Sequence, residues 1–128
     1  GVIPQALIDL EVAHTGLSEL HVVQTMHERK ARMTDLTDAF IALPGGIGTF
    51  DELFEAWTWN ALGYHAKPFG LLNVGGFWDG MVAFLDTATS SGFMSPARRA
   101  QLLVADSIAD AIDGLDARIT AAEKKMVW

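Results

Sequence analysis

The sequence predicts an α/β fold, a parallel sheet flanked by helices in three layers, and two observations carry that reading. Three short apolar runs, Leu20 to Thr25, Ala39 to Leu43 and Phe69 to Val74, are rich in β-branched or large side chains and bounded by turn or capping residues. Strands covered on both faces have this composition. Between and after the runs lie stretches with apolar residues at helical spacing, Met26 to Leu36, Phe50 to Leu62 and Trp78 to Ser90. Strand, helix, strand is the order in which parallel strands are joined.

Taken in chain order, Gly1-Val2-Ile3-Pro4 reads as the lead into a short helix with no strand before it, as though the sequence began in the middle of a fold whose preceding portion is lost. The three strand–helix pairs follow. Leu102 to Ala105 is a weaker fourth strand, and Ile108 to Ile119 is a helix behind a capping Ser107. No repeat, low-complexity tract or dividing linker interrupts the chain, so residues 1–128 are expected to form one domain.

Bulk properties narrow the function. With 50% apolar and 20% charged residues in 128, the chain has a globular composition and is long enough to bury about two-thirds of its unfolded surface without disulfides or a structural metal. It contains no cysteine, which removes thiolate nucleophiles, redox pairs and cysteine metal sites. Nine basic against 16 acidic residues leave a net charge of −7, which repels nucleic acid polymers and anionic membranes, so a phosphate partner should be small. No apolar run approaches a membrane span and the amino terminus lacks the pattern of a secretory signal, so a cytoplasmic location is expected.

The most informative segment runs from Phe40 to Glu52, a strand followed by Pro44-Gly45-Gly46-Ile47-Gly48-Thr49 and a helix start. Glycines admit an anion close to the backbone, and the free N–H groups and dipole of the following helix attract its charge. Thr49 can add a hydroxyl donor. A single Gly-Gly pair would be read as a plain turn, but three glycines in four positions at the end of a strand point to ligand binding. The spacing is neither that of a Walker loop nor that of a dinucleotide fingerprint.

Two side chains near this turn stand out. Thr49-x-x-Glu52 can be a capping box, with Glu52 bonded back to the helix start. On the helical wheel, however, Phe50, Leu53, Phe54, Trp57 and Ala61 form the apolar face, while Glu52, Ala56 and Trp59 form a second stripe. That stripe is expected to line a pocket or a subunit interface. In the preceding helix, Met26, Arg29, Lys30, Met33 and Leu36 share one face. Lys30 can snorkel, whereas Arg29 between methionines calls for an anionic partner, a substrate phosphate or a carboxylate such as Glu52.

These residues resemble the Lonely Guy (LOG) family of cytokinin riboside 5′-monophosphate phosphoribohydrolases, older descriptions of which read "putative lysine decarboxylase". Met26-x-x-Arg29-Lys30-x-x-Met33 and Pro44-Gly45-Gly46-x-Gly48-Thr49-x-x-Glu52 carry the resemblance, in the family's order and separation. It extends through Asp38-Ala39-Phe40, Gly63, Lys67-Pro68, Asn73-Val74 and Gly92-Phe93. It implies a Rossmann-like three-layer fold and hydrolysis of a nucleoside 5′-monophosphate, a cytokinin riboside monophosphate or AMP, to free base and ribose 5-phosphate. No redox cofactor or metal is implied. By motif position Arg29 and Glu52 correspond to the catalytic pair, and Gly45, Gly46, Gly48 and Thr49 to the phosphate-binding turn, with Met26 and Lys30 as lesser substrate-binding candidates. Family members form homodimers or larger assemblies. The family also has a leading strand–helix unit with another glycine-rich loop that is absent here, so the nucleotide pocket of this chain is expected to be incomplete.

Breaking an N-glycosidic bond develops oxocarbenium charge on the ribose, and a carboxylate such as Glu52 stabilises it, orients water or forms a transient ribosyl link. The competing reading is a nucleotide-binding carrier or sensor without catalysis. A lysine decarboxylase would need a lysine set up for pyridoxal phosphate, and Lys30, Lys67, Lys124 and Lys125 show no such setting. His14, His21, His27 and His65 lack metal-ligand spacing. His27 is expected on a surface, Tyr64 and His65 in a loop, Trp57 and Trp78 as core or interface anchors, and the acidic pattern from Asp106 to Asp116 on a solvated helix face.

Overall fold

A computed structural model describes residues 1–10, 14 and 16–126, with side chains described as far as residue 121. Lys124 and Lys125 thus lie outside the described side chains. The chain divides into two compact units, residues 1–37 and 38–128.

The first unit contains β1 (Val2–Pro4), α1 (Gln5–Asp9), β2 (His21–Val23) and α2 (Met26–Leu36). The opening, expected to lack a strand, forms one: β1 pairs in parallel with β2, Val2 opposite His21 and Pro4 opposite Val23. Val2 and Ile3 are β-branched and suit a pleat, while Pro4 has no N–H to continue the ladder and becomes the residue before α1. α2 spans the residues expected of it. Its N-cap Thr25 accepts from the amide of Glu28 at 3.1 Å, and Glu28 Oε2 accepts from the amide of Gln24 at 2.8 Å. This is a variant of the capping box, found here rather than at Thr49 and Glu52.

The second unit contains β3 (Phe40–Ala42), α3 (Ile47–Ala61), β4 (Phe69–Leu72), a 3₁₀ turn (Val74–Gly76), α4 (Asp79–Ser90), α5 (Pro96–Ala100), β5 (Leu102–Ala105) and α6 (Ile108–Met126). Its strands form a parallel sheet in the order β3-β4-β5, with Ala42 opposite Leu71 and Leu71 opposite Val104. All four residues of the central strand β4 are buried. On one face of the sheet, Phe69, Leu71 and Leu102 pack with Leu53 and Trp57 of α3, Trp78, and Leu85 of α4. On the other face, Leu72 and Ala105 pack with Ala111 of α6. Gly114 lets α6 come down on β5, because a Cβ there would lie 2.8 Å from a methyl of Leu103. Helices on both faces of parallel strands give this unit the three layers the alternation predicts.

Several expectations need correction. Leu20 to Thr25 read as a buried strand, but His21 and Val23 are half-buried and Val22 is 46% exposed. β2 belongs to a two-stranded sheet and has one strand neighbour in it, whereas β4 has two. α3 starts at Ile47 rather than Phe50 because Gly46 takes the N-cap position. α5 was not anticipated, although Ser95-Pro96 is a helix-start signal: Ser95 Oγ accepts from Arg98 N at 3.1 Å and proline occupies the first turn. Ser107 caps α6 as expected, its Oγ accepting from Asp110 N at 3.1 Å. Among the described residues no helix is long and apolar enough to cross a membrane.

Candidate active site

β3 delivers the chain to the glycine turn. Ala42 is buried, Leu43 and Pro44 are exposed, and Gly46 caps a 15-residue helix whose first turn closes with the Phe50 amide donating to Gly46 O at 3.1 Å. The three glycines have different reasons to be glycine. A Cβ on Gly45 would collide with the Thr49 side chain, so packing explains Gly45. Gly46 and Gly48 have ordinary negative φ, and a Cβ on either meets nothing within 4 Å. Neither backbone conformation nor packing among the described residues requires glycine there, although glycine inside a helix costs about 1 kcal/mol relative to alanine. A glycine cap also brings no side-chain acceptor, and α3 has no side-chain cap bond, so the first-turn N–H groups are left for an external acceptor.

Glu52 follows Gly48 by four residues and Thr49 by three, which sets all three on one side of α3. Because the helix starts at Ile47, Thr49 is its third residue and not its cap, and the capping box expected there does not form. Glu52 is half-buried and makes no hydrogen bond or ion pair among the described residues. Thr49 is half-buried, its side chain over Gly45.

The second stripe of α3 divides. Ala56 is buried in the core at 7% exposure, while Trp59 lines an open groove along the helix with Ile47, Phe54, Glu55 and Thr58. Glu52 is not among the groove residues. A hundred degrees per residue brings Ala56 round to the sheet and leaves Glu52 and Trp59 at its margin.

Met26, Arg29 and Lys30 stand in the first unit, on α2. Met26 is 45% exposed and Arg29, Lys30 and Met33 are half-buried, while Leu36 at 53% exposure leaves the shared face. Arg29 Nε donates to the carbonyl of Val2 at 3.0 Å, so the partner seen is a neutral acceptor on β1. That bond orients the guanidinium and uses one of its five donors. The structure therefore groups Gly45, Gly46, Gly48, Thr49 and Glu52 in the second unit, and Met26, Arg29 and Lys30 in the first.

The remaining candidates have structural surroundings. His27 is exposed, Trp57 and Trp78 are core residues at 4% and 2% exposure, and Asp106, Asp110, Asp113 and Asp116 all face solvent. His65 is half-buried in the loop after α3, its Nδ1 accepting from the Lys67 amide at 3.0 Å. That leaves Nε2 to carry the proton and donate to Ala56 O at 2.9 Å. Burial pushes the His65 pKa below its ordinary 6.5, the Ala56 carbonyl opposes the shift, and Lys67 adds to it. Among the described residues no group of three or more His, Cys, Asp or Glu could hold a metal ion.

Comparison with known proteins identifies the family. The family described as "Possible lysine decarboxylase" matches residues 1–115. The chain is 44% identical over 131 aligned positions to the cytokinin riboside 5′-monophosphate phosphoribohydrolase LOG2 of Arabidopsis thaliana, covering all of this chain and 62% of the relative. It is 44% identical over 128 positions to the LOG enzyme of that name from Oryza sativa subsp. japonica, covering all of this chain and 53% of the relative. It is 49% identical over 113 positions to the cytokinin riboside 5′-monophosphate phosphoribohydrolase of Rhodococcoides fascians, covering 88% of this chain and 57% of the relative. The chain thus spans between about half and three-fifths of the length of these curated relatives. From the glycine turn, the helix that follows it and a match over most of its length, the chain belongs to the possible lysine decarboxylase family, the family of the Lonely Guy (LOG) phosphoribohydrolases.

Proposed function

We propose that this chain carries the phosphate turn and the catalytic carboxylate of a phosphoribohydrolase, which splits a nucleoside 5′-monophosphate, a cytokinin riboside monophosphate or AMP, into free base and ribose 5-phosphate. One observation carries the reading: among the described residues nothing in φ or packing requires Gly46 and Gly48 to be glycine, and they stand at the start of a long helix that carries Glu52, without a partner among those residues, one turn further on. The names of the relatives supply the substrate class.

In this reading the 5′-phosphate accepts from the first-turn N–H groups of α3 and from Thr49, with Met26 and Lys30 as further substrate contacts. As the C1′–N bond lengthens, its electron pair leaves with the base, which takes up a proton. Positive charge spreads over C1′ and the ring oxygen, and Glu52 stabilises it. Water then bonds to C1′ and gives up a proton. Arg29, oriented by its bond to Val2, is the other member of the catalytic pair in this reading, its remaining donors suited to an anionic partner. The open groove of α3, with Ile47 83% exposed and Phe54 40% exposed, suits contact with a second copy of the chain, and light scattering of wild type against Ile47→Lys tests that homodimer by the loss of dimer mass.

The deciding assay incubates the full-length protein with AMP and with isopentenyladenosine monophosphate and separates the products by chromatography. Free base and ribose 5-phosphate in equal amounts are expected. Nucleotide that is bound but returned intact would show a carrier or sensor instead.

A further inference from the structure

β3 and β4 are adjacent and parallel, so the chain leaves both at the same end of the sheet. The glycine turn follows β3. After β4 comes Asn73-Val74-Gly75-Gly76-Phe77-Trp78-Asp79. Asn73 is only 8% exposed, and three of its polar groups are engaged at short range. Its amide donates to Ala105 O at 2.7 Å, its Oδ1 accepts from the Trp78 amide at 2.7 Å, and its Nδ2 donates to Asp79 Oδ1 at 2.7 Å. The turn that lets it reach round needs two residues at positive φ, Gly75 at 59° and Gly76 at 73°.

The outcome is a fixed Trp78. Its indole, 2% exposed, stands edge-on to Phe50 at 5.7 Å and 71°, and to Phe77 at 4.8 Å and 88°. Its Nε1 has no hydrogen-bond partner among the described residues, and packing and the Asn73 bond to its backbone hold it in place. Phe50 is the residue whose amide closes the first turn of α3 on Gly46. A loop that had only to join β4 to α4 could end in an apolar side chain. A buried amide is costly unless its bonds are made, and what these bonds specify is one orientation of Trp78.

We infer that Asn73 is a positioning residue for phosphate binding: through Trp78 and Phe50 it sets the direction of the α3 first turn, and hence how strongly the site prefers a nucleotide to the corresponding nucleoside. The inference rests on the phosphate reading above.

The test measures affinities for AMP and for adenosine by calorimetry on the full chain in a Glu52→Gln background, where nothing turns over, with thermal melts to confirm folding. The parent should bind AMP more tightly than adenosine. Asn73→Ala and the milder Phe50→Leu should each shrink that ratio about tenfold, the scale of one misaligned hydrogen bond to a charged group, with adenosine affinity unchanged. A ratio preserved in both variants, or in Phe50→Leu alone should Asn73→Ala not fold, overturns the inference and leaves the phosphate reading standing. A parent ratio near one removes the phosphate reading and this inference together.

Discussion

The two ends of the three-stranded sheet are built for different purposes. At the end where the strands begin, side chains are paired with one another. Trp57 Nε1 donates to Gln101 Oε1 at 3.3 Å, Gln101 Nε2 to Asn60 Oδ1 at 3.2 Å, and Asn60 Nδ2 to Lys67 O at 3.3 Å. Arg118 reaches across from α6 to the carbonyl of Gln101 at 2.6 Å, and His65 is held on both ring nitrogens. At the end where the strands finish, Asn73 is committed, while Gly46, Gly48 and Glu52 have no such partners among the described residues. Residues that satisfy each other contribute stability, and residues left uncommitted beside a helix start are available to a ligand. Open α/β sheets bind ligands in the crevice outside the carboxyl ends of their strands.

Substitutions should separate the two ends. The largest effect is expected from Glu52→Gln, which keeps shape and removes charge: kcat for base release should fall by about 10²- to 10⁴-fold, with nucleotide affinity largely kept. Turnover at the wild-type rate would remove Glu52 from the mechanism. Next, Gly46→Ala introduces a Cβ that meets nothing within 4 Å among the described residues. It should change stability by less than about 1 kcal/mol yet raise KM for the nucleotide several-fold, and an unchanged KM would mean that no phosphate approaches this turn.

The opposite signature belongs to the other end. Gln101→Ala should cost about 1–2 kcal/mol in denaturant unfolding by orphaning the Trp57 and Asn60 groups, with KM unaltered. The smallest effect concerns pH. His65 has a lowered pKa in the folded protein, so protons bind more readily to the unfolded chain. Its neutral form supports the fold fully above pH 6.5, and that contribution is lost as pH falls from 6.5 through the lower folded value. His65→Asn should keep an acceptor for the Lys67 amide and flatten this part of the stability–pH curve. A curve identical to wild type would assign the acid sensitivity elsewhere.

How much of this could be read from residues alone varies with how local the cause is. The helix Met26–Leu36 and the strand Leu102–Ala105 coincide with their predicted bounds because capping and side-chain pattern act within a few positions. Burial was misjudged where it depends on neighbours: the run around Val22 has the composition of a buried strand, but among the described residues it pairs with β1 alone. The sequence holds two capping signals on different helices: Thr25-x-x-Glu28 forms at the start of α2, and Thr49-x-x-Glu52 does not form because Gly46 starts α3 earlier. Asn73 reads in the sequence only as the end of a strand and part of the family resemblance; its hold on Trp78 and Asp79 depends on how the loop turns at Gly75 and Gly76, and its bond to Ala105 on β4 pairing with β5.

By itself, the order of residues determined the alternation of strands and helices, the glycine-rich start of α3 and the placement of Glu52 one helical turn beyond it, since each follows from spacing along a single element. Tertiary structure alone decided which glycines are forced by contact and which are open, that Ala56 turns to the core while Trp59 borders the groove, and that Asn73 orients Trp78 against Phe50. Those outcomes depend on distances between atoms in three dimensions, which the pattern of residue types does not encode.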